Sequence, residues 1–138
     1  MKHEFKQKVF YSDTDAYGVV WHGSYLRWLE MGRVELCEKA GYSLTKLYEA
    51  NVTLPVVDLN VRYKSPARLE EEILVTTELK ETSRLSMTFL QRVYNASDMK
   101  LHIEALVKVV STTNDGKIYK DLPQDLVDLI IKLRINDD

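Results

Sequence analysis

The chain has 138 residues, 45% of them hydrophobic and 29% charged, with a formal net charge of −2. That length and balance predict one folded domain with a core of its own, and the mild acidity excludes a nucleic-acid binder. No apolar run approaches the ~20 residues of a membrane span. The opening Met1–Lys8 stretch lacks the apolar core of a signal peptide. The single Cys37 cannot form an internal disulfide, which fits a reducing cytoplasm, and reads as a small apolar helix residue rather than a catalytic thiol. No metal-ligand spacing stands out among three histidines and one cysteine, and no cofactor is expected.

Residues 3–11 alternate Phe5, Gln7, Val9 and Tyr11 against Lys6, Lys8 and Phe10, the period of a strand. A loop follows with two carboxylates, Asp13 and Asp15, and with Gly18 available for an unusual backbone angle. From about His22 to Ala40 the period turns helical, and Tyr25, Trp28, Leu29, Gly32, Leu36 and Ala40 share a face. Glu30–Arg33 and Glu35–Lys39 are spaced as helix-surface ion pairs. Gly41 is a stop signal, and Ser43 is a cap for a short helix from Leu44 to about Ala50.

Four further strands are predicted. The first, over 52–63, has Val57, Leu59, Val61 and Tyr63 on one side, and Pro55 marks it as an edge or bulge. After the Ser65–Arg68 break come 71–81, 85–95 and 99–111, each alternating between apolar and polar positions. A last helix begins near Pro123 and presents Leu126, Leu129, Ile130 and Leu133. Long consecutive strands with short turns imply an antiparallel sheet, so the class is α+β, with the 22–40 helix covered by the sheet. One sheet on one helix leaves edges and faces uncovered, which predicts a homo-oligomer.

The segment Tyr11-Ser-Asp13-Thr-Asp15-Ala-Tyr-Gly18-Val-Val-Trp-His22-Gly-Ser-Tyr25 sets a carboxylate beside a helix N-terminus. Free N–H groups and the positive dipole end there favour developing negative charge. A carboxylate with a ready-made oxyanion site is what attack on an acyl group needs. Asp15 could equally be no more than a turn or helix cap, and His22 no more than a polar surface residue.

This segment, together with Val61-Arg-Tyr63-Lys-Ser-Pro66-Ala-Arg68, resembles the hotdog-fold acyl-CoA thioesterases of the 4-hydroxybenzoyl-CoA thioesterase type. Within these it is most similar to the short bacterial enzymes of Tol–Pal gene clusters, over about residues 3–133. The resemblance implies a five-stranded antiparallel sheet wrapped around the helix of about 22–40, and hydrolysis of acyl-CoA without metal or cofactor. It implies that Asp15 attacks the thioester carbonyl or activates a water, that the His22 N–H polarises that carbonyl, and that the His22 side chain orients water or steadies the leaving thiolate. Asp13 is read as holding the loop backbone. Gly23 and Ser24 are expected to leave room for an acyl group. Arg84, with Lys64 and Arg68 as helpers, is expected to meet coenzyme A phosphates. The resemblance also implies a dimer of dimers with the site where subunits meet. Two other readings of the same scaffold are a non-catalytic acyl-CoA or acyl-carrier binding or interaction module, and a dehydratase.

Overall fold

The structure, a computed structural model, describes residues 1–135. Strand β1 (Lys2–Lys8) is followed by a 3-10 turn at Tyr11–Asp13, then helices α1 (His22–Lys39) and α2 (Leu44–Glu49). Strands β2 (Val56–Tyr63), β3 (Glu72–Thr82), β4 (Ser86–Asn95) and β5 (Leu101–Val110) come next, and α3 (Gln124–Leu133) closes the described chain. The five strands form one sheet in the order β1-β3-β4-β5-β2, antiparallel throughout. Helix α1 lies against it, which is the hotdog arrangement. No helix among the described residues is long and apolar enough to cross a membrane.

Two apolar clusters fasten α1 to the sheet. Around its first half, Tyr25, Trp28 and Leu29 pack with Ile73, Val75, Val93 and Ile103. Around its second half, Leu36 and Cys37 meet Phe89 and Val109 together with the apolar faces of α2 and α3. Burial pushes the Cys37 thiol up to about 11, so it stays protonated near neutral pH and acts as the small core residue expected. The helical face read from the 3.6-residue period is the buried one, while Arg27, Glu30 and Glu38 face outward. Gly41 has φ +92°, a left-handed stop, and Ser43 Oγ accepts from Lys46 N–H at 3.1 Å.

Several expectations need correction. β1 ends at Lys8, and Tyr11 is 82% exposed. The reason is local: the Phe10 N–H donates to Asp13 Oδ2 at 2.9 Å, which turns the chain away from the ladder. β2 begins at Val56 rather than 52, with a bulge between Val56 and Asp58, and it is an edge strand as Pro55 indicated. The two helix-surface ion pairs do not form. Arg33 instead donates from Nη1 to Gln91 Oε1 at 2.9 Å, and Glu35 Oε1 lies 3.2 Å from His3 Nε2. Lys39 Nζ donates to Lys2 O.

Gln91 shows why Gly32 sits where it does. The fully buried Gln91 Nε2 donates to Leu29 O and to Thr77 Oγ1, both at 2.8 Å, tying α1 to β3 and β4 through polar bonds inside the core. A Cβ at position 32 would fall 2.4 Å from Thr77 Oγ1 and 3.0 Å from Gln91 Nε2. Gly32→Ala should therefore destabilise the fold despite alanine's better helix propensity. Overpacking of this kind costs about 1–3 kcal/mol. Thermal unfolding measures it, and an unchanged or raised Tm would show that the network can move aside.

Candidate active site

Asp13 organises the entrance to α1. Its side chain is 3% exposed and pairs through Oδ1 with Arg27, one turn into the helix, while Oδ2 holds the Phe10 N–H. Its main-chain oxygen accepts from Trp21 N–H at 3.1 Å and from the Ser24 hydroxyl at 3.2 Å. Asp13 is thus the loop-binding carboxylate that the sequence suggested, and Ser24 is part of the same clamp.

Residues 14–20 form a small hairpin. Thr14 bridges Val20, Asp15 N–H donates to Val19 O at 2.9 Å, and Gly18, at φ +76°, returns its N–H to Asp15 O at 3.0 Å. Val19 in turn bridges Arg68, and Val20 N–H donates to Ala67 O at 2.8 Å, which joins the hairpin to the segment after β2. The tip exposes Asp15. Its Oδ1 accepts from Tyr17 N–H at 2.8 Å, and Oδ2 has no partner among the described residues.

α1 starts beside it. Trp21 is the N-cap residue and gives no side-chain cap, and the first turn contains no acidic residue. Ser24 N–H folds back to Trp21 O, but the N–H groups of His22 and Gly23 have no acceptor among the described residues. Both lie at the positive end of an 18-residue helix, where negative charge is favoured. A cleft of about 500 Å³ brings together Asp15, Trp21, His22, Tyr25, Tyr63 and Lys64. Tyr25 reaches across it, and its hydroxyl accepts from Ala67 N–H at 3.1 Å. Burial raises the Tyr25 phenol above its ordinary value, so it is a neutral group at the cleft wall.

The cleft therefore gathers three of the predicted site residues, Asp15, His22 and Lys64, with Arg68 at the base of the hairpin. At Gly23, a Cβ would fall 2.0 Å from the Trp21 indole, so that ring packs over the glycine. Arg84 lies elsewhere. It sits in the β3–β4 turn, 3.6 Å from Asp121, with both side chains exposed. The cleft adjoins the Glu72 end of β3 and Arg84 the Thr82 end, about 30 Å apart along the strand. Tyr63, Tyr25 and Trp21 were legible only as strand, helix and loop positions. Ser65, which also lines the cleft, carried the single signal of preceding Pro66.

The chain matches the Thioesterase-like superfamily over residues 9–130, a span that includes the Asp15 hairpin, the start of α1 and the cleft wall. YbgC, an acyl-CoA thioester hydrolase of Escherichia coli, is 35% identical over 120 residues, covering 87% of this chain and 89% of that protein. The 4-hydroxybenzoyl-CoA thioesterase of a Pseudomonas species is 26% identical over 132 residues, covering 90% and 94% of the two chains. Among solved structures, a DHNA-CoA thioesterase from Staphylococcus aureus has a TM-score of 0.86 at 25% identity, covering 96% of this chain and 91% of that one. On fold, on the residues of the cleft and on these matches, the chain belongs to the thioesterase-like superfamily.

Proposed function

We propose that this protein hydrolyses acyl-CoA thioesters to the free acid and coenzyme A, with Asp15 as nucleophile or general base. The observation that carries the reading is the shared cleft: a carboxylate with one uncommitted oxygen and the first residue of α1, His22, whose N–H is uncommitted, as is that of Gly23 next to it. The thioester oxygen would lie against the His22 and Gly23 N–H groups, where the negative charge of the tetrahedral intermediate is stabilised. A water deprotonated by Asp15, or Asp15 itself, adds to the carbonyl carbon. The C–S bond then breaks, and the leaving sulfur ends as a thiol. If Asp15 adds directly, water cleaves the resulting anhydride in a second step. The His22 imidazole, which lines the same cleft, orients that water in this reading. The reading calls on no metal and no organic cofactor.

The Tyr17 N–H bond to Asp15 Oδ1 supports a second reading, in which Asp15 only builds the turn and the scaffold binds acyl-CoA without cleaving it. Incubation with acetyl-, octanoyl- and benzoyl-CoA, followed by a free-thiol assay, separates the two. A hydrolase releases thiol and acid in equal amounts and shows which acyl class it prefers, whereas a binding module returns the thioester intact.

The same reading places the active form in a homo-oligomer, a dimer of dimers in the cytoplasm. Supporting it, edge strand β2 leaves Val56, Val57, Leu59 and Tyr63 between 42% and 54% exposed, next to unpaired main-chain groups. Light scattering should give a dimer or tetramer, and a stable, active monomer at micromolar concentration would overturn it. Arg84 reaches a cleft only from a neighbouring copy in this arrangement, where it meets coenzyme A phosphates alongside Lys64 and Arg68. An exposed contact of this kind is weak and salt-sensitive. Arg84→Ala should raise KM several-fold with kcat nearly unchanged. Steady-state kinetics at two salt concentrations checks this, and a collapse of kcat with KM unchanged would contradict it.

A further inference from the structure

Beneath the Lys64–Pro66 wall lies a histidine that the thioester chemistry does not touch. His102, at the start of β5, is 2% exposed. Its main-chain oxygen accepts from Lys64 N–H at 2.8 Å and Ser65 N–H at 3.3 Å. Its Nδ1 lies 3.1 Å from Ser65 O and 3.1 Å from Ser65 Oγ. The Ser65 hydroxyl donates its proton to Leu101 O at 2.8 Å, so both Ser65 oxygens face the ring as acceptors. Nδ1 therefore carries a proton.

On the other side of the ring, Nε2 lies 3.5 Å from Glu71 Oε2. Both atoms are buried and neither has a hydrogen-bond partner. Two buried polar atoms that face only each other are costly unless a proton joins them. A proton between Nε2 and Oε2 joins them, and an approach of about 0.6 Å brings the pair to hydrogen-bond length. Glu71 is itself anchored through its main chain, which accepts from Val9 N–H at 2.8 Å and donates to Arg68 O at 3.2 Å. The wall that lines the cleft thus rests on a buried pair rooted in β5 and in the residue that leads into β3.

We propose that His102 is a positioning residue of the cleft: paired with Glu71, its ring and carbonyl clamp the Lys64–Pro66 wall along which the coenzyme A arm of the substrate lies. This rests on the acyl-CoA reading above, but not on the role of Asp15.

The test uses the full chain and free coenzyme A, with binding followed by calorimetry, beside kcat, KM and Tm. His102→Ala and Glu71→Ala should each weaken coenzyme A binding and raise KM about tenfold, with kcat within about twofold. His102→Asn returns an amide N–H to the Nδ1 position, and Glu71→Gln gives Nε2 a neutral partner. Both should restore binding to within about threefold of wild type. A merely structural role would lower Tm for alanine and amide variants alike without separating KM from kcat. Glu71 is 28% exposed at its side chain, so Glu71→Ala should fold even if His102→Ala does not. Unchanged coenzyme A binding in Glu71→Ala, or His102→Asn no better than His102→Ala, would overturn the proposal. An active Asp15→Asn protein would end the Asp15 chemistry while leaving these readouts intact. A wild-type protein that does not bind coenzyme A would overturn this proposal, while the thiol-release assay still decides the hydrolase reading.

Discussion

His22→Pro is expected to lower kcat by about 10²–10³, while His22→Ala costs less than about tenfold. The contrast follows from which atom of His22 acts. His22 is the first residue of α1, and its N–H has no acceptor among the described residues. Proline is well tolerated at that position, because the N–H it lacks belongs to no helical bond and its fixed φ suits the first turn. The preceding residue, Trp21, is already extended, at φ −80° and ψ 153°, as a residue before proline prefers to be. Both substitutions remove the imidazole, so relative to alanine the proline removes one hydrogen-bond donor and little else, and losing one oxyanion donor typically costs that range of rate. Alanine keeps the donor and removes only the imidazole. Circular dichroism and Tm should match wild type for both variants. A folded His22→Pro enzyme at full kcat would mean the carbonyl is polarised elsewhere, and equal losses for both variants would assign the work to the ring.

What could be read from the chain was whatever depends on neighbours in sequence. The buried face of α1, the Ser43 cap, the Gly41 stop and the alternation of β5 follow from periods and caps, and all four are present. So is the tie between Asp13 and the backbone three residues before it. The alternation expected of β3 and β4 is not: Ile73–Thr77 and Ser86–Phe89 are buried without a break, because other strands flank these central strands on both sides. Contacts across the sheet were not legible. Arg33 had Glu30 as its local partner by spacing, yet Gln91 lies opposite it on β4 and receives its hydrogen bond. Arg27 is 14 residues from Asp13, and His102 is 37 residues from Ser65, distances at which no local pattern operates. Arg84 is expected near coenzyme A from the family resemblance, with Lys64 and Arg68 added as basic residues flanking Pro66. The antiparallel ladder puts the turn after β3 and the segment after β2 at opposite ends of the sheet. The sequence carried charge and turn type but not which end of the sheet each turn occupies.

Asp15→Asn tests the account most directly. Asparagine keeps the shape and keeps an oxygen for the Tyr17 N–H bond, so the hairpin should form as before. The exposed position adds no packing penalty. What disappears is the negative charge of the side chain. Loss of a general base costs about 10²–10⁴ in rate, and loss of a nucleophile can cost more. The measurement is turnover of one acyl-CoA by wild type and Asp15→Asn side by side, with binding of the same thioester to the variant by calorimetry. The account predicts an affinity close to that of wild type, an unchanged Tm and a kcat reduced at least about a hundredfold. A folded Asp15→Asn protein that binds acyl-CoA and hydrolyses it at near wild-type rate would contradict it.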